Sequence, residues 1–233
     1  MKRFGLFIVA VLAFGLGGAA KSNATDLIVN GSFETPNVGG SWNTFSNGSV
    51  LGWNAIDAAN PKNQLIEIDY SAAAVGGPAY AGKQSLEVNA NEPEDVYQTV
   101  SDLVVGQQYT LFWAYGNRPG SGSQEMQVYF GPSGTLLPAD LVTTDVDTYA
   151  GSNSTLVWVP NSFVVTATST TEVLSFNGVA FPGEGSPSYG NEIDAVSLVA
   201  APEPSTLLFF VSGLGLLSFA WLRQRPLPVF SRL

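Results

Sequence analysis

Between Thr25 and Ala201 the apolar positions never repeat every three or four residues over a sustained stretch, so no amphipathic helix is predicted there. The pattern is short and of period two. In Leu65-Ile66-Glu67-Ile68-Asp69 the isoleucines fall on one side and the acids on the other, and Ser85-Leu86-Glu87-Val88-Asn89 repeats the arrangement. Phe163, Val165 and Ala167 alternate against Val164, Thr166 and Thr168. Such alternation belongs to antiparallel strands with one face on a core and the other in water. Strands are predicted over 27–33, 50–56, 65–70, 85–89, 96–100, 109–115, 126–130, 156–159, 163–168, 172–177 and 193–199. Turn-forming Gly76-Gly77-Pro78, Asn117-Arg118-Pro119-Gly120 and Phe181-Pro182-Gly183 separate them, and the Gly/Ser/Asn-rich stretches 39–49 and 183–190 read as loops. The prediction is an all-β fold over 25–200, one antiparallel β-sandwich with jelly-roll-like topology. A domain of that size buries about 70% of its unfolded surface, so it needs no covalent staple.

The two ends carry a different pattern. Lys2 and Arg3 precede an apolar run over 4–16, and Ser22-Asn23-Ala24 supplies small residues at spaced positions. Residues 1–24 therefore read as a secretory signal helix cut after Ala24, with Gly18-Ala19-Ala20 as a second cleavage position and a retained anchor as the alternative. At the other end, over 201–225, Pro202-Glu203-Pro204-Ser205 is followed by an uncharged run, 206–222, and then by Arg223-Gln224-Arg225. Those 17 residues reach about 25 Å as a hydrophobic helix, slightly short of a bilayer core. The run is predicted to insert as a transmembrane helix, at least transiently, with the two arginines and the tail 226–233 on the cytoplasmic side. A plain C-terminal anchor is the alternative.

Composition narrows the chemistry. The chain of 233 residues has no cysteine and no histidine, which excludes disulfides, thiolate nucleophiles, Cys/His zinc sites and Ser-His-Asp triads. The formal charge is −10, but six of the nine basic residues lie near the ends. The body keeps Lys62, Lys83 and Arg118 against 18 acids, a net of −15, which repels a phosphate backbone and leaves divalent cations and neutral polymers as partners. Trp113 shares a strand face with Leu111 and is placed in the core, as is Trp53. Trp42, in a polar loop, is the candidate for an exposed sugar-stacking platform, with Tyr80 and Tyr189 as further candidates. The alternative is that these aromatics pin loops to the sandwich. The acidic stretch 91–95 and the pair Asp145/Asp147 match no calcium-loop spacing and read as solvated. A carboxylate pair for glycoside hydrolysis is arithmetically available, but the strand-borne acids fall on faces predicted to be wet, so no enzyme is expected.

The C-terminal order of Pro-Glu-Pro, hydrophobic run and basic stop resembles the PEP-CTERM sorting signal of bacterial exported proteins. That resemblance implies recognition by an exosortase through Pro202, Glu203, Pro204, Ser205, Arg223 and Arg225. The eight residues after Arg225 depart from the pattern. Within the body, Asn30-Gly31-Ser32-Phe33-Glu34, Gly52-Trp53, residues 82–89, Val96-Tyr97-Gln98-Thr99-Val100 and residues 193–198 occur in an order similar to the choice-of-anchor C domain. More broadly they resemble galactose-binding-like sandwiches used as carbohydrate-binding modules. This second resemblance implies a structural Ca2+ between Glu34 and Asp194. Together these readings give an exported protein of the cell envelope or extracellular matrix, structural or adhesive, with weak glycan binding. Its expected partners are the secretion machinery, an exosortase and extracellular polysaccharide. The alternatives are a dedicated carbohydrate-binding module and, behind it, a carboxylate-pair glycoside hydrolase.

Overall fold

Period-two alternation decides which side of each strand meets the core, and antiparallel pairing carries that decision from strand to strand. The computed structural model describes residues 25–56, 64–70, 74–132, 137–147, 155–179 and 188–202. The predicted signal segment with Ala24, the motif residues Glu203, Pro204 and Ser205, the run 206–222, Arg223, Arg225 and the tail 226–233 lie outside them. Pro202 is exposed, just beyond the last strand. The strands are β1 Trp42–Ser46, β2 Asn54–Ile56, β3 Leu65–Tyr70, β4 Gln84–Glu87, β5 Asp95–Val100, β6 Gln108–Asn117, β7 Gln124–Gly131, β8 Leu141–Asp147, β9 Trp158–Thr166, β10 Glu172–Val179 and β11 Asn191–Ala200. They form a six-stranded sheet in the order β1-β3-β4-β11-β6-β9 and a five-stranded sheet in the order β2-β5-β10-β7-β8. All the pairings are antiparallel. The fold is the expected all-β sandwich. Among the described residues no helix is long and apolar enough to cross a membrane.

The core lies between the sheets. Ile66, Ile68, Leu86, Leu111, Trp113 and Ile193 enter it from the six-stranded sheet, and Ala55, Val96, Val128, Leu174 and Phe176 from the five-stranded one. An aromatic contact bridges the layers: Trp113 on β6 meets Phe176 on β10 edge-on at 5.9 Å between centroids, and Trp53, just before β2, lies 6.1 Å from the same Phe176. Both tryptophans placed in the core by the sequence are there.

The N-terminal run 27–33 is not the predicted strand. Asn30 and Phe33 both have φ of 55°, a left-handed conformation that breaks extended pairing. Between them, a Cβ on Gly31 would stand 1.9 Å from the Val196 carbonyl oxygen, so only glycine permits this close approach. The backbone is satisfied piecemeal. Leu27 N–H donates to Leu198 O at 2.9 Å, and Val196 N–H donates to Gly31 O at 2.8 Å. The Gln98 amide accepts from Val29 N–H and donates to Val29 O, imitating a strand neighbour.

Three further differences concern the strands. The runs predicted at 156–159 and 163–168 are joined in β9, which passes through Pro160; an edge strand tolerates the missing N–H. Strand β1 lies within the stretch expected to be a loop, and β8 was not expected. Both are edge strands of mixed polarity, in which Phe45 and Val142 pack on the core, so neither shows clear alternation.

Candidate functional site

If Ile66, Ile68, Leu86 and Ile193 face the core, their neighbours must point to the outer face of the six-stranded sheet. Register then aligns them. Glu67 on β3 pairs with Glu87 on β4, and Glu87 pairs with Glu192 on β11, so three glutamates form one cross-strand row. Asp69 sits one step along β3, opposite Ser85 on β4 and Trp42 on β1.

Alternation in β3 and β4 predicts that Glu67, Asp69 and Glu87 are wet; they are not, and neither is Glu192. Glu67 is 5% exposed, and Asp69, Glu87 and Glu192 are 0% exposed. Among the described residues one guanidinium pairs with them: Arg118, from the turn after β6, donates from Nη1 to Glu87 Oε2 at 2.8 Å and from Nη2 to Ala74 O at 3.2 Å. Gly190 N–H donates to Glu87 Oε1 at 2.7 Å, and Ser85 Oγ donates to Glu192 Oε2 at 2.7 Å. No amide, hydroxyl or guanidinium donor reaches either carboxylate oxygen of Asp69 or Oε1 of Glu192.

Four carboxylates against one cation in a dry setting favour protonation. Burial, then the charge of Asp69, pushes the Glu67 carboxyl up to about 8, with Arg118 opposing. Burial, then the charges of Asp69 and its neighbours, holds Glu87 and Glu192 well above the ordinary carboxylate range. Burial raises Asp69 as well, and it lies close enough to Glu192 and Glu87 to share a proton.

Asp194 lies on the same face, two residues beyond Glu192. A bulge follows it, where Ala195 adopts φ of 52° and the register with β6 shifts. Its Oδ2 accepts Ala81 N–H at 2.7 Å and its Oδ1 accepts Ala195 N–H at 2.5 Å. Glu34 Oε1 accepts the amides of Lys83 and Gln84 at 2.7 and 2.9 Å. The loop between wraps closely: a Cβ on Gly82, whose φ is +70°, would lie 2.3 Å from Glu34 Oε1. Burial pushes Asp194 up to about 7; the amides of Ala81, Ala195 and Tyr80 oppose the rise and the charge of Glu34 adds to it. The fold therefore brings Glu34 and Asp194 to one loop. Their oxygen donors and mutual repulsion fit a hard cation, although backbone amides already occupy three of their oxygens.

Each aromatic residue singled out by the sequence is exposed: Trp42 54%, Tyr80 44% and Tyr189 45%. Trp42 is not in a loop but on edge strand β1, in register with Asp69. Tyr80 packs on Phe112 and Trp158 at 5.9 and 6.4 Å, over strands β6 and β9. Tyr189 lies on the Arg118 guanidinium, 4.2 Å from its ring centroid. The outer face thus carries aromatics at both edges and beside its acidic centre. Five inter-strand steps separate β1 from β9, about 24 Å.

Period two on any one strand does not disclose the acidic centre, because it forms only when register sets three strands side by side. The signal lay in Glu67, Asp69, Glu87 and Glu192 alternating with isoleucine or leucine on three strands that the register then joins. Two acids in the stretch read as solvated are also buried: Glu94 Oε2 accepts Leu65 N–H at 3.2 Å, and Asp95 accepts from Ser175 Oγ. Asp145, read as a surface acid, is partly buried and accepts the Trp113 indole N–H at 3.0 Å.

No family model matches the chain. Halomucin of Haloquadratum walsbyi is 27% identical over 198 residues, which are 84% of this chain and 2% of halomucin, so the chain spans a small fraction of that relative. Among solved structures, a cyclase from Fischerella sp. TAU superposes with a TM-score of 0.52 at 16% identity, over 78% of this chain and 100% of the other. The Stig cyclase Fisc from the same source gives 0.51 at 15% identity, over the same shares. TmCBM61 in complex with β-1,4-galactotriose gives 0.41 at 16% identity, over 76% of this chain and 100% of the other. Likeness at these identities is of fold.

The raised carboxyls fix the sign of the pH dependence. Each binds its proton more tightly folded than unfolded, so the stability this contributes is complete below the ordinary carboxylate range. It is lost as pH rises through about 6 for Asp95, about 7 for Asp194 and about 8 for Glu67. In chelator, the melting temperature should fall steadily from about pH 5 to about pH 8.5, each group contributing a slope of up to ~1.4 kcal/mol per pH unit. Glu67→Gln should flatten the upper part of the curve. Calorimetry across that range checks both, and a melting temperature that rises with pH would contradict them.

Proposed function

We propose that this protein is an exported β-sandwich of the cell envelope or extracellular matrix that binds glycan on the outer face of its six-stranded sheet. The supporting observation is the placement of Trp42, Tyr80 and Tyr189. Each is about half exposed, and each stands on or beside that one face while Trp53 and Trp113 fill the core. A half-exposed aromatic ring offers apolar area for the face of a pyranose, and nearby amides and hydroxyls offer hydrogen bonds. Binding is favoured over hydrolysis by the same burial. A carboxyl protonated at neutral pH could act as a general acid, but Glu67, Asp69, Glu87 and Glu192 are closed off from a glycosidic oxygen.

Delivery follows from the ends of the chain: export through residues 1–24, then sorting by an exosortase through the Pro-Glu-Pro segment and the arginines after it. A calcium ion shared by Glu34 and Asp194 would offset their repulsion and fasten the segment before β1 to the last strand.

Three measurements test these statements. On a glycan array the protein should bind saturably, and Trp42→Ala, Tyr80→Ala or Tyr189→Ala should weaken the best ligand by about tenfold, ~1.4 kcal/mol. No binding, or binding indifferent to all three variants, would remove the glycan reading. Mass spectrometry of the mature protein should find a chain without residues 223–233; their retention would rule out removal of the tail. By equilibrium dialysis Asp194→Ala should bind one Ca2+ fewer per chain than the wild type and respond less to chelator in a melting scan. Equal stoichiometry would exclude calcium there.

A further inference from the structure

The acidic centre holds more charge than its partners answer. Glu87 has donors on both oxygens, from Gly190 N–H and Arg118, and Glu192 has one from Ser85. Asp69 receives no amide, hydroxyl or guanidinium donor on either oxygen, has the carboxyls of Glu87 and Glu192 for neighbours, and is 0% exposed, so bulk water does not supply what the protein omits. The second vacant acceptor, Glu192 Oε1, is equally enclosed. An ionised carboxylate stripped of water and of donors is costly to hold.

Geometry supplies the missing partner. Glu67, Asp69 and Glu87 each offer one carboxylate oxygen, and these lie within 4.8 Å of one another. Three points so spaced are all within ~2.8 Å of a common centre, close to the 2.3–2.6 Å of a Ca2+–oxygen bond. Magnesium needs 2.0–2.1 Å in a near-ideal octahedron and gives up its waters reluctantly, which a closed site of carboxylates does not suit. The four acids and Arg118 sum to −3 when ionised, and a divalent ion brings the centre to −1.

We propose that Glu67, Asp69 and Glu87, with Glu192 beside them, hold a hard divalent cation, calcium in preference to magnesium, at the centre of the outer face and apart from the Glu34/Asp194 pair. The ion would tie β3, β4 and β11 together on the side away from the core.

The test uses the full chain, purified in detergent, stripped of metal with chelator and titrated with Ca2+ by calorimetry. Asp69→Asn should bind one Ca2+ fewer per chain than the wild type. Asp194→Ala should still bind one, with a rise in melting temperature, and the double variant should lose it. Mg2+ should bind this centre at least tenfold more weakly. Without metal, Asp69→Asn should melt no lower than the wild type, because it removes one of four mutually repelling carboxylates; a merely structural aspartate would give a lower value. If Asp69→Asn does not fold, Glu67→Gln is read in the same way. The proposal is overturned if the folded variants bind as much Ca2+ as the wild type, or if Asp194→Ala binds none at millimolar Ca2+. It is equally overturned if added Ca2+ leaves the melting temperature of the metal-free Asp194→Ala variant unchanged at pH 8.5, which would make the missing partner a proton.

Discussion

A strand in a sandwich has two faces, and only one can meet the core. In β3 and β4 both faces are out of water, and the rest of the molecule is arranged around that fact. The inner face is the usual apolar one, Ile66, Ile68 and Leu86, stabilised by area removed from water. The outer face places carboxylates where desolvation opposes their charge, and three strands align them in one row. Arg118 makes this tolerable in part. Its guanidinium reaches Glu87 while Tyr189 covers its other side, so the turn after β6 serves as a lid on the acidic centre as well as a connection.

The other organising device is side-chain substitution for strand pairing. The segment from Leu27 to Val38 has left-handed residues and does not lie as a strand, yet much of its polar backbone is paired. Gln98 answers both groups of Val29. Gln84, fully buried, donates to Phe33 O at 2.6 Å and Pro36 O at 2.9 Å and accepts Val38 N–H at 2.7 Å. Asp26 Oδ1 accepts from Ile28 and Leu198, drawing the first described residues onto the last strand. A chain without cysteine thus fastens its N-terminal segment with amides and carboxylates, each worth about 1 kcal/mol or somewhat more where charge assists.

What the sequence discloses follows from what periodicity encodes. Alternation tells which residues of β3 and β4 face inward and sets Leu111 and Trp113 together on the inner face of β6, because hydrophobic burial imposes it directly. It could not reveal β1 or β8, since a mixed edge strand with few core contacts leaves no contrast between its faces. It names the sidedness of Glu67, Asp69 and Glu87 correctly and their environment wrongly, and Glu192 falls just before the predicted last strand. Period two says that a residue points away from the core, but what covers that face comes from distant turns such as those bearing Arg118 and Tyr189. Trp42 was legible as exposed for the complementary reason: nothing apolar accompanies it at strand spacing. The meeting of Glu34 with Asp194 came from ordered motifs, and the wrap of Gly82 around Glu34 accounts for it physically.

The formal charge of the body changes meaning once the acids are placed. Glu67, Asp69, Glu87, Glu94, Asp95, Glu172, Glu192 and Asp194 are all buried, so much of the −15 is internal rather than presented to solvent. Burial also pushes the carboxyl of Glu67 up to about 8 and shifts those of Glu87 and Glu192 upward, toward the neutral form, when nothing else neutralises them. The surface field is therefore weaker than composition implies, and repulsion of a polyanion is a poorer guide to partners than the count suggests. On the proposed reading, selectivity would rest instead on shape and local chemistry: half-exposed aromatic rings at the edges of one sheet face, which suit a neutral polymer, and a closed set of oxygens at its centre. These two features meet at Tyr189 and Arg118. The half-exposed Tyr189 ring lies on the Arg118 guanidinium that pairs with Glu87, so the surface and the acidic centre share one contact.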